Sequence, residues 1–522
     1  MKVPRWWPVP VLAVIVALGA TVRAWRLPAL ELQHWDEGAY ACFARRIVEG
    51  NLGNEPEPPF DPRYAPPLFP VAVSVSFLCF GLSAPSAIGV SVLAGSAGIV
   101  AVYLLVARVW GNAAGLIGAL LLATCRYHVI YSRMALTEAP FVLLLLLSLW
   151  AYVRALRLGR VRAFVLAGAL TGLCQNTKYH GVSVLAIVGL YVGLTWLVDL
   201  ARRRADRRCI RRQFVGLAIA LAVAVLFYLP WAILVHRRLP GGYGALIAHT
   251  RSYSALGRTS FATLLAFARL FMTPSLLFLA AVGAVVGLAS RRPQARLVIL
   301  ALVVFAAAPT MYAPYPRLFL PAAALACAVA GVGVAWLFGL AGPAGLTRMP
   351  RLRAALVTAV ALLAGFRGLQ HTLPVLSEPP SGYPRAAEIV NAIPAEAPVF
   401  TDVQDCMRFY LKRHVIRVKS GDDMLAFCAP KPYPRFLVTD LRVLHHPPDV
   451  ETRYRDFVVR LNRVGAVIPN PLNEVTRLNN ADVATILKDR TPDARRGHPI
   501  VIYRIPAGWA GASGSVTSRP GA

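Results

Sequence analysis

From residue 67 to residue 372 the chain is a succession of apolar blocks, near 67–81, 86–106, 112–124, 139–153, 163–176, 181–198, 214–235, 262–289, 297–310, 317–340 and 354–372. Backbone placed in hydrocarbon must satisfy its own hydrogen bonds, which leaves helices or closed barrels. One helical crossing needs about 20 residues, so some of these blocks are short or only partly inserted. With a further apolar block at 8–25, they predict a polytopic α-helical membrane protein of about 11–13 transmembrane helices. A hydrophobic fraction of 57% over 522 residues, with mean hydropathy +0.55, excludes an ordinary soluble protein of this length.

The net charge of +30 would suggest nucleic acid as a partner for a soluble chain. Here the basic residues gather between apolar blocks, at 157–162, 201–212, 290–296 and 348–353. That placement follows the positive-inside rule for cytoplasmic loops and accounts for the charge without nucleic acid. It turns the loops near 125–138, 177–180, 236–260 and 310–317 outward, along with everything after 372. The basic-then-apolar N-terminus resembles a signal peptide, but spans follow throughout, so we expect an uncleaved first helix. The block at 67–81 begins with prolines and breaks the alternation of sides, so it is expected to enter only partway or to lie tilted near the outer surface.

The domain reading is a transmembrane part over 1–375, with a first outer loop at 26–66, then a small extracytoplasmic α/β domain over 380–506. Strands are expected at 397–402, 434–440, 464–470 and 499–505, with a short amphipathic helix at 406–413. Residues 507–522 are rich in Gly, Ala and Ser and read as a disordered tail. The eight cysteines show no zinc-ligand spacing; Cys406 and Cys428 could pair in an exported domain, though two free thiols is the simpler reading.

Acidic residues are the scarce resource. Seven of the 25 lie between Glu31 and Asp61, and from 62 to 377 there are only Glu138, Asp199 and Asp206. The latter two sit beside the 201–212 basic cluster as counter-charges. Glu138 opens a long apolar helix on the same expected side as the first loop. It either caps that helix or lines a polar cavity. Asp36 and Glu37, between His34, Trp35 and the helix-like spacing of Tyr40, Phe43 and Ile47, are either ordinary loop charges or acids held at a helix start. Cationic and aromatic groups stand at the other outward ends: Arg63 and Tyr64, Lys178 with Tyr179 and His180, His236 to Arg238, and Arg317 with Tyr315. Each alone reads as an interfacial anchor; together they suit a phosphate whose lipid tail stays in the bilayer. A carboxylate nearby suits proton removal from an attacking hydroxyl or amine.

The stretches "HWDEGAYACFARRIVEG", "RYAPPLFP", "YSRMALTEAPF" and "GLCQNTKYHG", in that order, resemble the C-type integral-membrane glycosyltransferase superfamily, in the branch of protein O-mannosyltransferases and the lipid A aminoarabinose transferase. The resemblance covers about residues 5–370. It implies a sugar donor linked to polyprenyl phosphate and transfer to a protein or lipid/glycan acceptor at the extracytoplasmic face of a bacterial or archaeal cell membrane. It makes Asp36 and Glu138 the catalytic acids, with Arg63, Lys178 and Arg317 on the donor phosphate. His34, Trp35, Glu37, Tyr64 and Tyr315 would support them. Some members use a divalent metal; if one acts here, Asp36 and Glu138 are its candidate ligands. One departure is Ala65, where aminoarabinose-type relatives carry a donor-binding lysine. The rival reading is a lipid or lipid-linked sugar flippase without transferase activity, which would want polar residues at mid-membrane and inverted repeats.

Overall fold

The computed structural model describes residues 7–50, 66–202, 207–255, 272–311, 315–337, 350–377, 380–417 except 402 and 404, 431–439, 463–470, 499–505 and 507–508, with a few single positions between 260 and 269. Arg63, Tyr64, Ala65 and Cys428 lie outside the described residues, as does the tail beyond 508. The chain divides into two compact units, one of Met1–Leu30 and Phe43–Ser377, the other of Glu31–Cys42 and Glu378–Ala522.

The first unit is helical. Its elements are α1 (Pro8–Ala24), then α2 (Trp35–Glu49), whose first half is counted with the second unit, α3 (Leu68–Phe80), α4 (Ala84–Trp110), α5 (Asn112–Ala123) and α6 (Arg126–Ser132). There follow α7 (Glu138–Leu158), α8 (Val161–Thr177), α9 (Ser183–Ala201), α10 (Arg207–Arg238) and α11 (Gly242–Ala255). The series ends with α12 (Pro274–Ala289), α13 (Pro293–Ala307), α14 (Leu320–Leu337) and α15 (Pro350–Leu376). Among the described residues, eight helices are long and apolar enough to cross a membrane, or nine if α5 and α6, bent by 61°, form one broken span. Two shorter apolar helices, α3 and α12, stand beside these crossings among the described residues. At 13 residues α3 is about 20 Å long, short of a ~30 Å hydrocarbon core.

Small residues set the packing. The helix α14 reads "LPAAALACAVAGVGVAWL", and 94% of its most apolar window is buried. A Cβ at Gly333 would lie 2.3 Å from the Leu279 carbonyl oxygen, and one at Gly331 would lie 2.6 Å from that of Ala114. Backbone therefore meets backbone where α14 crosses α12 and α5. Close approach of this kind drives helix association in lipid, where burial of apolar surface gives little.

The break between α5 and α6 is filled by arginine. A helix end leaves carbonyls without partners. Arg23, fully buried near the end of α1, donates to the carbonyls of Leu122 and Ala123, both at 3.0 Å. Its guanidinium also reaches Gly19 O at 2.9 Å, Ser132 Oγ at 3.3 Å and His128 Nδ1 at 2.9 Å. Arg133, just past α6, reciprocates by donating to Arg23 O at 3.0 Å and Trp25 O at 2.7 Å at the end of α1. The cavity for this exchange depends on Gly95, whose Cβ would stand 2.2 Å from Ser132 Oγ.

The second unit contains a five-stranded mixed sheet, order β2-β1-β3-β5-β4, with β1 (Val399–Thr401), β2 (Ile416–Arg417), β3 (Arg435–Thr439), β4 (Arg463–Ile468) and β5 (Ile500–Ile505). The pairs β1–β2 and β1–β3 are parallel, and β5 runs antiparallel to β3 and β4. Helix α16 (Tyr383–Asn391) buries Tyr383, Ala386, Ala387 and Val390, the i, i+3, i+4, i+7 face of an amphipathic helix. Helix α17 (Asp405–Tyr410) follows β1. Four strands and α17 fall where the sequence predicts them; β2, two residues long, carries too short a pattern to read.

Candidate active site

The structure brings three of the expected site residues together in the first unit. Glu138 is the first residue of α7, and Lys178 is the C-cap of α8. Lys178 leaves the helix with extended backbone, φ −155° and ψ 138°, before the 3₁₀ turn Tyr179–Val182. That exit lets its ammonium reach Glu138 Oε1 at 2.6 Å. Arg317 sits on another 3₁₀ turn, Pro316–Phe319, ahead of α14, with its guanidinium carbon 5.3 Å from the centre of the Tyr315 ring. The Tyr127 hydroxyl donates to the Pro316 carbonyl, which ties this turn to α6.

These groups line a cavity of about 300 Å³. Glu138, Lys178, Tyr179, His180 and Arg317 supply its polar side, while Phe141, Val304, Phe305, Leu318 and Leu320 supply much of an apolar wall. Phe141 and Phe305 meet edge to face, ring centres 6.3 Å apart. Tyr179 is held by a hydrogen bond from Trp231 Nε1 at 3.2 Å. Glu138 is 2% exposed and the Lys178 side chain 17%. A buried pair of this kind is attractive only because each charge answers the other; removing one partner costs about 3–5 kcal/mol. Glu138 occupies the first turn of α7, where the helix dipole favours an acid, and lines the cavity.

Arg133, five residues before Glu138, faces the carbonyls that end α1 rather than this cavity. Of the other expected cationic groups, His236 to Arg238 do not line it either. The apolar wall was readable in the sequence only as membrane spans, since nothing in a run of Leu, Val and Phe marks which faces will border an opening.

The first-loop acids belong to the second unit. Helix α2 begins at Trp35, with Asp36 and Glu37 in its first turn. Glu37 is 1% exposed and accepts the backbone N–H of Gln33 at 2.9 Å and of His34 at 2.7 Å, so it caps the start of its own helix. Asp36 is half-buried, and its N–H donates to His34 Nδ1 at 3.1 Å. Hydrogen bonds tie the segment to the rest of its unit. Leu32 N–H donates to the Tyr410 hydroxyl at 3.1 Å, Ser381 Oγ to Leu32 O at 2.9 Å, Cys406 Sγ to His34 O at 2.8 Å, and Tyr410 Oη to Glu31. Burial holds the Glu31 carboxyl above its ordinary value, partly offset by the Tyr410 bond, and burial likewise pushes the Tyr410 phenol well up.

Among the described residues no group of three or more His, Cys, Asp or Glu gathers, and the Glu138 carboxylate is met by an ammonium. Asp36 and Glu138 fall in different units.

Residues 64–234 match the family model described as dolichyl-phosphate-mannose-protein mannosyltransferase. A Bacillus subtilis (strain 168) protein described as "Putative mannosyltransferase YkcB" is 27% identical over 191 residues, 37% of this chain; the chain spans about a quarter (25%) of that relative's length. Among solved structures, ArnT from Cupriavidus metallidurans bound to undecaprenyl phosphate superposes with TM-score 0.64 at 17% identity, over 96% of this chain and 98% of that one. The Archaeoglobus fulgidus oligosaccharyltransferase in its apo form gives 0.60 at 14% identity, over 84% of this chain and 70% of that one. The run of apolar helices and the small C-terminal sheet give the chain the fold of these membrane glycosyltransferase structures, and the match to the mannosyltransferase family model falls on α3 to α10 of that fold.

Proposed function

We propose that this chain transfers a sugar from a polyprenyl-phosphate donor to a protein or lipid/glycan acceptor at the extracytoplasmic face of the membrane. The observation that carries the reading is the cavity in which Lys178, Arg317 and Glu138 share one polar side against an apolar wall. A lipid phosphate needs both halves: cations for the head and hydrocarbon contact for the tail. Support comes from the relatives, since the ArnT structure holds undecaprenyl phosphate and an archaeal oligosaccharyltransferase structure holds dolichol-phosphate.

In this reading Asp36 takes the proton from the acceptor hydroxyl or amine. The freed lone pair attacks the anomeric carbon from the face opposite the phosphate, forming the glycosidic bond with inversion. The bond between that carbon and the phosphate oxygen breaks, and polyprenyl phosphate leaves with an added negative charge, which Lys178 and Arg317 stabilise. Arg63 assists at the same phosphate; Tyr315 steadies Arg317 through its ring. His34 and Trp35 shape the start of α2. Glu138 keeps Lys178 charged and aimed. Cations are needed for electrostatic reasons, because a carboxylate base and a phosphate leaving group repel one another. The C-terminal α/β unit and the first loop are extracytoplasmic in this reading, in keeping with the charge bias of the loops.

The test uses purified full-length protein and a radiolabelled polyprenyl-phosphate sugar. Arg317→Gln should raise the donor KM and lower kcat, since an arginine holding the leaving phosphate acts in both states. Unchanged donor parameters in a folded Arg317→Gln variant would remove the reading.

A further inference from the structure

A second cleft, of about 370 Å³, opens between the α7–α8 turn and the start of α10. Its rim carries Arg208, Arg211 and Arg212, and its floor is Val161, Phe164, Val215 and Ile219. No carboxylate lines it among the described residues. We propose that this cleft holds one anionic phospholipid by its headgroup phosphate, at the end of the helices opposite the mouth of α7.

The sequence builds the cleft from helical spacing. Arg208, Arg212, Val215 and Ile219 follow one another at intervals of four, three and four, and so share a face of α10. That face is cationic for its first turn and apolar for the next two. A headgroup joined to acyl chains has the same order. Glycine gives the cleft its depth. Gly216 brings α10 so close to Phe164 that a Cβ there would stand 2.4 Å from the ring. A Cβ at Gly168 would stand 2.4 Å from the Ala220 carbonyl oxygen, so α8 and α10 are in backbone contact one turn deeper. Gly159, left-handed at φ +61°, leaves room for the Arg212 guanidinium, 2.5 Å from where its Cβ would be.

Charge favours an anion. No ion pair is seen at Arg211 or Arg212 among the described residues. The adjacent guanidinium groups of Arg211 and Arg212 repel one another less when an anion lies between them, and Arg binds phosphate oxygens in pairs. The apolar floor selects a lipid phosphate over a soluble one: Val161 is 58% exposed and Val215 51% in the absence of a tail. Basic pockets between transmembrane helices on the cytoplasmic side bind lipid head groups in this way.

The experiment is native mass spectrometry of the full-length protein, titrated with phosphatidylglycerol, phosphatidylcholine or inorganic phosphate. Wild type should retain one phosphatidylglycerol at least tenfold more tightly than phosphatidylcholine. Arg211→Gln with Arg212→Gln should abolish that preference. Val215→Trp should weaken retention about tenfold with every arginine in place, because it fills the cleft. Arg291→Gln, in a different basic turn, should leave it intact. The proposal is overturned if Val215→Trp retains the lipid as wild type does, which would mean surface charge alone. It is equally overturned if inorganic phosphate displaces the lipid at equal concentration, or if phosphatidylcholine is held as tightly. Melting temperatures near wild type guard each variant against misfolding.

Discussion

At the scale of single residues, the informative contrast is between the two first-loop acids. They are adjacent in sequence and differ in what they do. Glu37 is consumed by the backbone of its own helix start, whereas Asp36 beside it is half-buried. Asp36→Asn should therefore cut transfer by about 10²–10⁴, the range for a lost general base, and leave folding intact. Glu37→Gln should cost about 1 kcal/mol of stability and keep measurable turnover. Assaying both variants at equal folded concentration separates the roles; equal loss of turnover would contradict them. The Glu138–Lys178 pair gives a second contrast. Lys178→Met alone leaves a buried carboxylate and should destabilise by about 3–5 kcal/mol, whereas Glu138→Met with Lys178→Met should melt near wild type and lack activity. The sequence could flag Glu138 because an isolated acid among 300 apolar-rich positions is conspicuous. It could not show that Lys178 is the partner, because 40 residues and two helices intervene.

At the scale of elements, the C-terminal α/β unit acts on the first loop through hydrogen bonds to Glu31, Leu32 and His34. Those contacts join residues up to 379 positions apart, and periodicity cannot reveal such partners. Strands and helices of the unit were legible because their apolar spacing is local. Tyr410→Phe with Ser381→Ala should lower kcat several-fold with little change in donor KM, by loosening the segment that carries Asp36. An equal rise in KM would point to a general loss of fold instead. Glu31 gives a pH signature. Burial raises its folded value above the unfolded one, so its contribution to stability is complete below the unfolded value and is lost as pH rises through the folded one. Melting of the full-length protein between pH 4 and 8 should reflect that decline, and Glu31→Gln should flatten it.

At the scale of the whole molecule, composition and the spacing of apolar blocks were enough for the class of fold, since lipid permits so few ways of satisfying a backbone. Helix number was harder to read. A proline-led block of 13 residues and a span broken by 61° both look like ordinary apolar sequence until the chain's geometry is known. Sidedness rests on the arginine-rich turns. In a variant lacking native cysteines, single cysteines near 60, 180 and 450 should label with an impermeant maleimide in intact cells, and one at 205 should not. Labelling at 205 before lysis would reverse the assignment.

The paired arginines Arg23 and Arg133 carry a consequence for how the protein is made. The first helix emerges from the ribosome bearing a cation whose carbonyl acceptors are 99 and 100 residues away. Until the fifth helix has been synthesised, that cation has only Gly19 of its own helix and whatever water or headgroup it can reach. Seating of the amino-terminal helix is thus deferred to a later moment of translation. A nascent chain halted before residue 120 should keep that helix shallow in the bilayer, and one released past 133 should draw it home.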